Sequence, residues 1–163
     1  MAVTAYLVID GVSGPSTSQQ NAIDILSFSF GASMPHQIGV GSSGAESRAG
    51  RANLSDLTIM KVVDATSPIL FGYLVTNKLI STVTLTYAQQ TGAAGAAPDT
   101  FYQVKLTGAL ISGFQNSGAH ENPSESISFA YQKIEVSYTP ESKTGSQSGT
   151  TTKGYDLLTQ QGI

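Results

Sequence analysis

The chain has 163 residues, 40% hydrophobic and 12% charged, with eight Lys plus Arg against eleven Asp plus Glu and no cysteine. At roughly 150 residues per domain this length predicts one domain with a core able to fold without staples. Charge at about half the usual quarter of a soluble protein leaves a neutral, small-residue surface suited to packing against another protein.

A net charge of −3 with basic residues scattered singly offers no phosphate-tracking stripe and no attraction to an anionic membrane. The lack of cysteine removes disulfides, thiolate nucleophiles and Cys-ligated metals. The opening MAVTAYLVIDGVSG has no positive n-region and meets Asp10 before an apolar core develops. It therefore predicts a chain made in the cytoplasm without a signal peptide, and no apolar run approaches the ~20 residues of a bilayer span.

Val3, Ala5, Leu7 and Ile9 alternate and predict a half-buried strand over 2–10, closed by Gly-Pro turn chemistry. From Ala22 to Met34 the apolar parity flips between Ile25 and Leu26, the mark of a β-bulge that bends a strand. Met34 to Gly50 is too long and too rich in Gly and Ser for an ordinary connection, and its Met34, Ile38 and Val40 predict a loop that docks on something. Ala52 to Val63 reads as a strand apolar on both faces, which suggests a partner.

Ser67 as N-cap, Pro68 at the first helical position, and Ile69, Leu70, Tyr73 and Leu74 on one face predict a short helix ending near Asn77–Lys78. Strands follow at 79–87 and 101–114, the second with Tyr102, Val104, Leu106, Leu110 and Phe114 on one side, joined through an Ala/Gly-rich hairpin tip at 89–99. A polar turn spans 115–124, and Ile127, Phe129 and Tyr131 then switch parity to Ile134, Val136 and Tyr138, a second predicted bulge. Beyond Pro140 the Ser/Thr/Gly-rich segment 141–153 reads as a flexible arm before a last short strand at 154–158. Five or six strands with one helix predict a mainly β protein, an antiparallel β-barrel or sandwich with a flanking helix and a long extended loop.

No constellation for chemistry emerges. His36 and His120 lie far apart without ligand partners, no Gly-x-Ser-x-Gly elbow occurs, and the glycines near 39–50 lack the Gly-Lys-Ser/Thr of a phosphate cradle. Most of the aromatic residues, among them Phe28, Tyr87, Tyr102 and Phe129, fall on core parity. The expectation is a non-enzymatic protein without cofactor or metal.

In order and spacing, AYLVIDGVSGPS, IDILSFSFGAS, GRANLSDLTIMKVVDATSP, KLISTVTLTYAQQTG, FYQVKLTGALISGF, ENPSESISFAYQKIEVSYTP and a tail with Gly154–Tyr155 resemble the Hcp family, haemolysin co-regulated proteins of bacterial type VI secretion systems. The resemblance implies a β-barrel with a flanking helix that forms homohexameric rings stacked into a hollow tube. It also implies a contractile sheath around the tube, a VgrG-like spike on it, effector proteins in the lumen, and export without a signal peptide. By position the family's interface loop falls on 34–51, placing Ile38, Val40, Arg48 and Arg51 at subunit or ring contacts. Asn116 and Ser117, after a strand expected to line the channel, become lumen contacts. The rival readings are a ring protein of the phage-tail-tube kind and a monomeric ligand-binding β-barrel.

Overall fold

Alternation at the N-terminus gives β1 (Val3–Ile9), with Leu7 and Ile9 buried. The computed structural model describes residues 3–35, 51–90, 97–140 and 149–163. The remaining elements are β2 (Ile23–Asp24), β3 (Ser27–Ser29), β4 (Ala32–Ser33), β5 (Asn53–Leu54), β6 (Leu57–Val62), α1 (Ser67–Val75), β7 (Ile80–Gln89), β8 (Asp99–Ser117), β9 (Ser124–Tyr138), β10 (Thr151–Asp156) and β11 (Gln161–Gly162). All their pairings are antiparallel.

The main ladder runs β11-β10-β9-β8-β7-β1-β2, with β6 also on β9 and β3 on β6. It is an open path that rolls up. The segment carrying β2 and β3 bonds to β1 through Ile25 N–H and the Ala5 carbonyl, and to β6 through Leu26 N–H and the Met60 carbonyl. The parity flip expected at Ile25/Leu26 is the point where this segment changes neighbours. Ile25 is buried there while Leu26 is 63% exposed.

Leu7, Ile23, Leu57, Ile59, Leu85, Leu106, Ile127 and Phe129 fill the interior with no exposed surface. At about 1.5–3 kcal/mol for each large side chain removed from water, they dominate the stability of the roll. Phe28, Tyr87 and Tyr102 cluster beside them, with centroids of Phe28 and Tyr87 5.5 Å apart. Burial pushes the phenols of Tyr87 and Tyr102 above their usual titration range.

Several expected boundaries move. β8 runs to Ser117, so Gln115, Asn116 and Ser117 are strand and not turn. Gly108, at φ +63°, reverses parity in β8, burying Ala109 and Ile111 and leaving Leu110 only half-buried instead of inward. A register shift between Ile111 and Gly113 then restores it, so that Phe114 packs toward the core. The flip expected in β9 falls at exposed Gln132, between buried Tyr131 and Ile134, and the Gln132 side chain lies over Gly108 where a Cβ would stand. Thr151, Thr152 and Lys153, read as part of an arm, pair with β9 in β10.

α1 lies against β8, its Leu70 buried and Phe71 edge-on to Phe114 with centroids 5.6 Å apart. Ser67 is not its N-cap. That position is Thr66, and the Ser67 hydroxyl is committed elsewhere. The helix stops earlier than expected, with Thr76 at its C-cap and Asn77 at φ +54°.

Candidate assembly interface

β4 and β5 form a separate two-stranded ribbon outside the main sheet, Ala32 opposite Leu54 and Ser33 opposite Asn53. Two such short strands hold few ladder bonds, so the ribbon depends on its root. There Ser55 N–H donates to the Gly31 carbonyl at 2.8 Å, and Gly31 N–H donates to Ser55 Oγ at 2.7 Å. The main sheet grips the same point. Tyr131 Oη of β9 donates to the Ser55 carbonyl at 2.7 Å, and Ser112 Oγ of β8 donates to Asp56 Oδ2 at 2.6 Å. Burial first, and the Asp56 carboxylate second, push the Tyr131 phenol up to about 12.

Of the expected interface residues, Arg51 stands exposed two residues before β5. Ile38, Val40 and Arg48 lie outside the described residues, as does most of the expected long loop. Met34 leaves the ribbon 41% exposed.

The outward face of β3, β6, the first half of β9 and the end of β8 carries no charged side chain. It presents Ser27, Thr58, Ser126, Ser128, Gln115 and Ser117, with Met60 and Val62 among them. Thr58 and Ser128 hydroxyls bond to each other at 2.9 Å. Asn116 and Ser117 are neighbours on one strand, so their side chains point to opposite sides. Ser117 lies across from Ser124 on the hydroxyl face, while Asn116 lies across from Glu125 at the exposed end of the strand. The structure does not bring these two together. The wall formed by β7, β8, β9 and β10 differs: there Lys105 faces Glu135, and Lys133 lies 3.3 Å from Glu135 and opposite Asp156.

A buried polar cluster ties α1 to the sheet. Lys61 on β6 and Glu125 on β9, each with no exposed side-chain surface, form an ion pair through Nζ and Oε1. Ser67 Oγ donates to Glu125 Oε1 at 2.6 Å, and Lys61 Nζ reaches Ser67 Oγ at 3.2 Å and Asp64 Oδ1 at 3.0 Å. Glu125 Oε2 has no hydrogen-bond partner. Burial alone would raise the Asp64 pKa, but hydrogen bonds from Thr66 and Lys61 outweigh it and hold the carboxyl below its usual range. The sequence reading passed over this cluster. Its signal was available: Lys61 continues the inward parity of Leu57 and Ile59, and Glu125 that of Ile127 and Phe129.

Among the described residues no three His, Cys, Asp or Glu side chains converge on a metal position. His120 is exposed in the β8–β9 connection and His36 lies outside the described residues. No described helix is long and apolar enough to cross a membrane.

The fold is that of solved proteins of type VI secretion systems. It superimposes on a solved type six secretion system protein with a TM-score of 0.86 at 27% identity, covering 99% of this chain and 100% of that one. It also shares the fold of Hcp1 from Salmonella typhimurium (TM-score 0.76, 24% identity, 100% of both chains) and of a type VI secretion system effector from Yersinia pestis (TM-score 0.69, 22% identity, 93% and 98%). No curated protein matches the sequence. Residues 6–138 match the model of the family described as "Type VI secretion system effector, Hcp", and the chain belongs to that family.

Proposed function

We propose that this tube protein acts as a six-membered ring. Rings stack into a tube that a contractile sheath expels, behind a VgrG-like spike and with effector proteins in the lumen. The protein leaves the cell by this route. The carrying observation is that one small sheet bears two unlike walls, one uncharged and rich in hydroxyls and one carrying Lys105, Lys133, Glu135 and Asp156, with a ribbon standing off between strands that are otherwise paired. Head-to-tail contacts in a closed ring need two different surfaces on each copy, and a tube adds an inner and an outer wall.

In this reading the hydroxyl face lines the lumen, with Ser117 as an effector contact and Asn116 at its rim. Arg51, with Ile38, Val40 and Arg48, meets the neighbouring subunit or ring. The chain serves as structure and not as an enzyme, with no cofactor. Interior residues such as Leu85, Leu106 and Phe129 have no exposed surface, which supports a packed interior over a ligand-binding barrel. Light scattering during gel filtration tests the ring: a mass about six times the 16.9 kDa chain is expected. A monomer at every concentration overturns it.

A further inference from the structure

We infer that Ser112, Asp56 and Tyr131 form a hinge lock that fixes the direction of the β4–β5 ribbon and so tunes subunit association. The inference rests on the ring reading above.

The register of β8 and β9 slips between Ile111 and Gly113, which leaves Ser112 as the extra residue of a bulge. Bulges re-aim side chains at the cost of a ladder bond. Here the re-aimed hydroxyl reaches 2.6 Å to the Asp56 carboxylate, the residue between ribbon and β6. From the other side the Tyr131 phenol, 9% exposed, reaches the carbonyl of the adjacent Ser55. The two grips come from different strands and act on consecutive residues, so together they fix both the position and the rotation of the chain where it leaves the barrel. Ser55, next to β5, passes that constraint to β4 through its paired bonds with Gly31.

A ribbon held in one direction meets a partner without the ordering cost that a swinging one carries. Ser112 is exposed and buries no apolar surface of note, so its hydroxyl is not explained by core packing.

The test compares ring formation against protein concentration for the full chain and for Ser112→Ala, Tyr131→Phe and Ser112→Thr. Losing one such hydrogen bond is expected to raise the midpoint concentration of the ring about fivefold or more in Ser112→Ala and Tyr131→Phe. Ser112→Thr keeps the hydroxyl and is expected to stay within about twofold of the parent, a rescue that a purely packing role would not produce. Amide exchange at Asn53 and Leu54 is expected to quicken in Ser112→Ala while that of Leu106 in β8 stays unchanged. Unchanged midpoints in both hydroxyl deletions, with the parent forming rings, overturn the hinge alone. A parent that never forms rings overturns the ring reading and the hinge with it. Should Tyr131→Phe fail to fold, Ser112→Ala decides.

Discussion

Replacing Lys61 by Met removes the cation from the buried cluster and keeps most of the stem that fills the space. Glu125, with no exposed side-chain surface and one oxygen already unpartnered, then retains only the Ser67 hydroxyl. Breaking a buried pair from one side costs about 3–5 kcal/mol, because a desolvated charge is left behind. A domain of this kind is stable by about 5–15 kcal/mol, so the loss takes about a fifth or more of the total. At about 2–4 °C per kcal/mol for a chain of this size, the melting temperature is expected to fall by roughly 6–20 °C. The assay is urea unfolding followed by circular dichroism, at one protein concentration for all variants because association adds stability by mass action. The double variant Lys61→Met with Glu125→Leu removes both charges and is expected to recover to within about 2 kcal/mol of the parent. A Lys61→Met loss below about 1 kcal/mol, or a double variant no better than the single, would refute the reasoning that the pair is a closed, desolvated unit.

Asp64 titrates below its usual value in the folded state, so its contribution is present above about pH 3.8 and is lost as pH falls through the lower folded pKa; in acid titration of unfolding, Asp64→Asn is expected to flatten that limb. Tyr131 runs the other way. Its folded pKa is raised to about 12, so its stabilising share is complete below pH 10 and disappears between 10 and about 12, and ultraviolet difference spectra should show a phenol titrating near 12 that Tyr131→Phe removes. A Cβ at Gly154 would lie 2.4 Å from the Ile134 carbonyl, so Gly154→Ala is expected to detach β10 from β9, read as faster proteolysis within residues 149–163 and a loss of about 1–3 kcal/mol.

Where burial follows parity alone, the sequence declared the structure. Leu7 and Ile9 in β1 and Ile127 and Phe129 in β9 sit where alternation put them. Alternation failed where backbone geometry changed under an ordinary side-chain pattern. Gly108 offers no side chain to announce its left-handed turn, and Leu110 was assigned inward on a parity that Gly108 had already reversed. Ser67 drew an N-cap reading because Ser favours that position before Pro68, but a buried carboxylate from a strand 58 residues away claimed its hydroxyl. No local rule sees such a partner. Asn116 and Ser117 were read as one turn, and a strand that continues through them sends their side chains apart. The Lys61 and Glu125 pair was legible as charge on inward parity, yet only the fold places the two side by side. Ser112 carried no signal, since a bulge exists only relative to the strand it opposes.

The outward face of β3, β6, the first half of β9 and the end of β8 is uncharged. Hydroxyls exchange protein for water with little net change in free energy, and a surface without fixed charge neither draws nor repels a body by its sign. Whatever rests against Thr58, Ser126 and Ser128 is therefore held without regard to its isoelectric point, and changes in ionic strength leave that adhesion alone. If the ring proposed above forms with this face inward, its wall sorts no load by charge.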